Sequence, residues 1–437
     1  MLMLFIVLTV VISQLHLLRN LTSMYFLAYF GCFAITIVVA ALTLRTVDRE
    51  SRYLLKIVTV LYLIPCVAII PGVLSGAPYT ASSLGVGLGR LLFTLPIFVV
   101  VMLAPRSEAN TRTILVTASA ITVVAALSIP YQFVTGPVLW FADSSGRAGL
   151  IRFASLFGSL TILGIVCGVG ILVCAYSFRS AVVFAFALLC IAMGSILSLS
   201  KASLVNVAYA LIVMPFVRRT TRRQVLVFLV FLVIGLYAVT ALFGTELLSF
   251  WSSFRLTDVS ESTPIDDVSL SASIVDRLTA LPMLAVNFHG PSSLLLGVGP
   301  IGGAGTFGFA EVVPTVHNGL IELLLLGGLP MFLWYLWVNK VLVTASIAMM
   351  KSPGGGRAGL LSVFILANLF VNSAFSTNIM FQPIGALFFA ISLRLAVPGV
   401  VFARRRKRMR EVEINGGRQP SPALGASGGY SSLEDAM

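Results

Sequence analysis

Twelve stretches of this chain are long, apolar and nearly free of charge, and that repetition constrains the fold more than any single motif does. They run near residues 2–18, 24–44, 53–74, 86–104, 113–134, 156–176, 181–199, 203–217, 224–245, 318–346, 358–374 and 380–400. A helix needs about 20 apolar residues to cross the hydrocarbon core of a bilayer. Only a helix or a closed barrel can satisfy its own backbone polar groups there. The 437 residues are 58% hydrophobic and 10% charged, more apolar than a water-soluble fold accommodates. The expectation is an all-α polytopic membrane protein of about 12 transmembrane helices. The first run has no positive segment ahead of it and no small-residue cleavage site behind it, so it reads as a span and not as a signal peptide.

A net charge of +13 could suggest nucleic acid, but in a membrane protein a basic excess reports orientation. With the N-terminus inside, one set of connections carries nineteen basic residues. Among them are Arg106, Arg112, Arg179, Arg357 and the run from Arg404 to Arg410. The opposite set carries six: Arg19, Arg147, Arg152, Lys201, Arg255 and Arg277. This asymmetry puts both termini in the cytoplasm, makes the charge a topology signal and leaves no nucleic-acid partner to expect. The basic run reads as a solvated flank that can also touch anionic membrane lipid. Residues 1–403 form the transmembrane domain, including an outer loop over 246–316, and 404–437 form a basic, disordered cytoplasmic tail.

The five cysteines all fall in apolar stretches without metal-ligand spacing, and three histidines are too scattered to form a ligand cluster. No metal or other cofactor is expected. A loop of about seventy residues inside a compact protein is usually functional, so the outer connection is where chemistry is expected. Basic residues are disfavoured on the outer side, and those that remain there need a reason. One reason is an anionic substrate, because guanidinium groups grip phosphate oxygens in bidentate fashion. Pairing with loop acids such as Asp266, Asp267 or Asp276 is the ordinary alternative.

His317 stands directly before a long apolar helix for which Asn318 is a good N-cap. The positive end of the helix dipole would lower the imidazole pKa there, and a neutral histidine is what a general base needs at neutral pH. Glu322 lies four residues after Asn318, where a negative charge favours the helix start. GVGPIGG from Gly297 matches a dinucleotide fingerprint only in letters, since it sits in the outer loop and no strand precedes it; Pro300 with the further glycines Gly303 and Gly305 suggests a tight turn that brings the loop back to the membrane.

Five pieces in order carry a family likeness: RFASLFGS from Arg152, SLSKAS from Ser198, DRLTALPML from Asp276, LLGVGPIGG from Leu295 and VHNGLIELLLLGGLPMFLW from Val316. Together, over roughly residues 140 to 345, they resemble the O-antigen ligase and polymerase family. The resemblance implies a GT-C-like fold and a bacterial inner-membrane enzyme with a periplasmic active face. It implies an undecaprenyl-diphosphate-linked oligosaccharide donor, a glycan or lipid acceptor and a chain-length regulator as partner. His317 then corresponds to the base that activates the acceptor hydroxyl. Arg152, with Arg147 as its nearby alternative, and Arg277 correspond to arginines that hold the diphosphate, with Asn318 and Glu322 beside them. Many members have an arginine where this chain has Lys201, and lysine keeps the charge but loses the planar fork.

Such a reaction is a metal-independent glycosyl transfer, with polymerisation of O-antigen or exopolysaccharide repeat units the first expectation. An O-antigen ligase that joins the glycan to the lipid A core is the alternative. A secondary transporter or lipid-linked glycan flippase is a third, because twelve spans with both ends inside also suit a transporter. Transporters usually carry charge near the bilayer midplane, and here only Lys56, Arg90, Lys340 and Arg394 lie in or near the apolar runs.

Overall fold

The computed structural model describes residues 47–77, 94–138, 145–147, 150–156, 160–198, 200–218, 290–300, 318–352, 354–375 and 379–416, with scattered positions elsewhere. Nine of the twelve apolar runs meet described helices; the runs at 2–18, 24–44 and 224–245 lie almost wholly outside the described residues, as does most of the stretch 246–316. The helices are α1 (Arg49–Val67), α2 (Ile69–Leu74), α3 (Leu95–Leu103), α4 (Glu108–Thr135), α5 (Leu160–Ser177), α6 (Ala181–Leu197) and α7 (Lys201–Val217). They continue as α8 (Ser293–Leu296), α9 (Gly319–Met350), α10 (Gly356–Phe375) and α11 (Pro383–Gly416). By length and composition five are able to cross a membrane unaided: α1 with α2, α4, α9, α10 and the apolar part of α11. Among the described residues the only strands are β1 (Ser145–Arg147) and β2 (Leu150–Arg152), an antiparallel pair in which Ser145 faces Arg152. The architecture is that of an all-α membrane protein.

Two helices are buried along most of their apolar length. Every residue of α5 from Leu163 to Ala175 is buried, and so is α11 from Pro383 to Val397. The remaining helices sheathe this pair: α4, α6, α7 and α10 pack on α5, while α1, α3, α9 and α10 pack on α11. Apolar contact alone does little between helices surrounded by lipid, so close backbone approach and hydrogen bonds must do the work. Gly164 and Gly168, spaced as in a small-xxx-small pair, let α7 come close. A Cβ on Gly168 would stand 2.8 Å from Asn206 Cβ.

Asn206 is also the centre of a buried polar knot. Asn368 Nδ2 and Asn372 Nδ2 donate to Asn206 Oδ1 at 2.7 and 2.8 Å, and Asn206 Nδ2 donates to Asn372 Oδ1 at 2.9 Å. Asn206 lies near the start of α7, whereas Asn368 and Asn372 lie near the end of α10. The knot therefore fixes the polarity of the bundle. The starts of α5, α7 and α9 share one end with the finishes of α4, α6 and α10. The finishes of α5 and α9 share the other end with the starts of α4, α6 and α10.

The sequence expectation ended the last apolar run near residue 400, but α11 continues through the basic run to Gly416. A row of like charges does not break a helix whose backbone bonds are already propagating. Cys167, Cys174 and Cys190 are buried packing residues, as their apolar settings suggested, and Cys66 is half-buried.

Candidate functional site

The end of the bundle that holds the starts of α5, α7 and α9 carries every described residue of the candidate site. Its foundation is α4, whose last turns receive the chain returning from the β-hairpin. Gln132 Nε2 donates to Ala154 O at 2.7 Å, and Leu156 N donates to Ser128 Oγ at 3.0 Å. Phe153 meets Phe133 edge-on, with ring centroids 5.0 Å apart. Phe153, Ala154 and Ser155 are buried by this docking, which pins the backbone immediately after Arg152. The hairpin pairing sets Arg147 opposite Leu150 and Arg152 opposite Ser145, so the two arginines stand on adjacent strands of one small ladder. Gln132 and Ser128 were not singled out from sequence. A glutamine and a serine inside an otherwise apolar helix were the available signal, since such groups need buried partners.

From Arg152 the chain reaches α5, where a Cβ on Gly164 would stand 3.1 Å from the Ala202 carbonyl carbon. Ala202 is the neighbour of Lys201, the first residue of α7. Ser200 caps that helix, accepting from Ser203 N at 3.4 Å. Lys201 thus sits at a helix N-terminus beside the segment that follows the hairpin, in the positive field of that helix end.

The start of α9 is built as the sequence predicts. Asn318 Oδ1 accepts from Leu320 N at 3.1 Å and from Ile321 N at 3.2 Å, which satisfies two of the orphan donors of the first turn. Asn318 and Glu322 are both buried, Glu322 at 1% exposure. The glutamate is therefore not a solvated charge decorating a helix end, as its position in the sequence allowed. It belongs to the interior of this end of the bundle.

Behind that first turn α9 is broken. Gly327 and Gly328 leave helical geometry, with φ +68° at Gly328, and Pro330 follows. The interruption frees the Leu325 carbonyl, which accepts from Val298 N at 2.6 Å. Val298 belongs to the glycine turn that ends α8, where Gly297 has φ +77° and Gly299 +70°. A Cβ on Gly297 would stand 2.7 Å from Gly328 N, and one on Gly328 would collide with Leu295 O. Gly303 and Gly305, on which the turn in GVGPIGG was read, lie outside the described residues; the turn at Gly297 and Gly299 docks the stretch after α8 onto the kink of α9.

The hairpin arginines, Lys201, Asn318 and Glu322 are thus brought to one end of the molecule. His317 and Arg277 lie outside the described residues, as does His289; His317 is the residue directly before the cap Asn318. Among the described residues no three His, Cys, Asp or Glu side chains are placed to share a metal ion. Compared with models of known protein families, the chain matches none, and no curated protein matches it.

Proposed function

We propose that the protein is an inner-membrane glycosyltransferase, moving glycan from an undecaprenyl-diphosphate-linked donor onto a hydroxyl acceptor and most often polymerising repeat units. The observation that carries this reading is the gathering at one bundle end of the hairpin with Arg147 and Arg152, the start of α7 with Lys201, and the capped start of α9. Cationic groups and helix N-termini grouped there suit a diphosphate leaving group.

His317, next to the cap of α9, takes the proton from the acceptor hydroxyl. The hydroxyl oxygen attacks the anomeric carbon as the bond to the diphosphate breaks. Arg152 and Arg277, with Lys201, hold the negative charge that develops on the departing diphosphate. One displacement inverts the anomeric centre.

A transporter would place free charge near the middle of the bundle. Lys56 and Lys340 are exposed and Arg394 is bonded to the end of α3, which speaks against that reading; Arg90 lies outside the described residues. A ligase would use the same donor chemistry with a lipid A core as acceptor.

The test is made in cells. His317→Ala and Arg277→Ala leave the protein level normal and make the lipid-linked donor accumulate. Normal polymer in both variants would contradict the assignment. Offering purified protein a second lipid-linked glycan or a lipid A core separates polymerase from ligase by which one is extended.

A further inference from the structure

The opposite end of the bundle holds a cavity of about 570 Å³, walled by Arg106, Arg112, Arg179, Arg357 and Arg394 and by a single acid, Glu108. Its members come from five separate stretches of chain: the start of α4, the end of α5, the end of α9, the start of α10 and the middle of α11. In sequence four of these arginines read only as an orientation signal. In space they surround one hollow.

Arginines at this end do two different jobs. Arg218 caps α5, donating to the carbonyls of Ala175, Phe178 and Arg179 while its guanidinium lies 4.5 Å from the centre of the Phe184 ring. Arg394 closes α3 in the same way. Its Nη1 donates to Val101 O and Ala104 O at 2.8 and 2.9 Å, its Nη2 to Pro105 O at 2.7 Å, and its Nε to Thr111 Oγ1 at 3.1 Å. These partners are neutral, so Arg394 brings a buried positive charge to the cavity wall that no carboxylate among those bonds cancels. Arg106 is ion-paired to Asp48 at 2.6 Å.

Arg112, Arg179 and Arg357 have no such structural duty. Arg179 approaches Glu108 only at 3.8 Å with both side chains more than four-fifths exposed, a pairing of little strength. Arg112 and Arg357 are exposed, in the second turn of α4 and the first turn of α10, whose N-termini add positive field to the hollow. The rest of the wall mixes the hydroxyls of Ser107, Thr111, Tyr176 and Ser177 with the apolar side chains of Leu115, Met349, Leu395 and Pro398. A hollow lined by guanidinium groups, hydroxyls and hydrocarbon at a helix-bundle end suits a phosphate headgroup with the start of its acyl chains.

We propose that this cavity binds the phosphate of an anionic phospholipid, held by Arg112, Arg179 and Arg357, with the start of an acyl chain against Leu115, Met349 and Leu395. The site shares no residue with the transfer site and stands or falls without it. The apolar part of the wall distinguishes a lipid from a free phosphate, which has nothing to place there.

The full chain is placed in nanodiscs of phosphatidylcholine and phosphatidylglycerol, and the lipid that stays bound is identified by native mass spectrometry. Wild type retains phosphatidylglycerol in preference to phosphatidylcholine. The double variant Arg112→Gln, Arg357→Gln loses that preference by roughly tenfold or more, the effect of removing charge-assisted hydrogen bonds. Glu108→Gln, which removes the only lining acid, strengthens retention, a gain that misfolding cannot produce. Equal retention of the two lipids by wild type, or a double variant that behaves as wild type, would overturn the site. If inorganic phosphate added to protein in phosphatidylcholine nanodiscs stabilises it as strongly as phosphatidylglycerol does, the ligand is a free anion and the lipid proposal is overturned.

Discussion

The two ends of this helix bundle differ in which cations close helix termini. At the end with the cavity, Arg218 and Arg394 are buried and spend their donors on the last carbonyls of α5 and α3. At the other end the helix starts are capped by neutral side chains, Ser200 and Asn318, and the nearby arginines are delivered on a β-hairpin instead. Helix polarity explains the difference: carbonyls crowd the ends of helices and attract cations, whereas N–H groups crowd their starts and attract anions. A cation at a helix finish stabilises the fold. A cation near a helix start has no such use and is available to a ligand.

The largest effect that sharpens this contrast is on the hairpin. Arg152→Ala is expected to slow glycan transfer by ~10²-fold or more, the usual result of removing a group that stabilises developing charge. Arg152→Lys should restore only part of the rate, because the fork is lost. A full rate in Arg152→Ala, measured with lipid-linked donor, would make the hairpin a structural element only.

At the other end the equivalent change should act on stability. Arg394→Met removes donors from three carbonyls and a hydroxyl and is expected to cost about 3 kcal/mol, read as a lower unfolding temperature in detergent. An unchanged transition would show that those carbonyls find other donors. Between the two ends, Asn206→Leu cuts the bonds that join α7 to α10 and should cost ~1–2 kcal/mol in the same measurement.

The smallest effect concerns Asp48, the N-cap of α1. Burial pushes its carboxyl up, but the Ser51 N–H and the Arg106 guanidinium outweigh burial and hold it below the ordinary carboxylate range. A lowered folded value means stabilisation that is complete above the ordinary value of 3.8 and is lost as pH falls through the folded one. With both side chains about one-third exposed, the contribution is at most about 1 kcal/mol. Asp48→Asn should flatten the acid limb of stability against pH, and an unaltered limb would assign it to other carboxylates.

What could be read from the sequence follows from how local each feature is. The spans that meet described helices and the Asn318 cap rest on patterns a few residues long, and they stand where expected. Of the turn read in GVGPIGG, Gly303 and Gly305 lie outside the described residues; the glycine turn at 297–299 stands just ahead of them. Its docking onto the kink at Gly327 and Gly328 was not visible, because the two pieces are some thirty residues apart and each only looks like a loop breaker. The hairpin at 145–152 has strands of three residues, too short to show alternation. Glu322 read as a helix-end charge because burial depends on neighbours the helix itself does not name. Arg394 read as a charge stranded in a span; the carbonyls that hold it lie about 290 residues earlier. The arginine cavity was the least legible of all, since its walls come from stretches that each look like an ordinary basic flank.

The central claim is that this protein makes a glycosidic bond. The most direct measurement gives purified wild-type protein in detergent a lipid-diphosphate-linked repeat unit, with no metal added and no ion gradient possible, and follows glycan length and anomeric configuration. The account predicts longer glycans, inverted at the newly joined carbon, with free lipid diphosphate released in step. Glycan left at its original length under those conditions, but moved across the bilayer once the protein is placed in sealed vesicles, would contradict it.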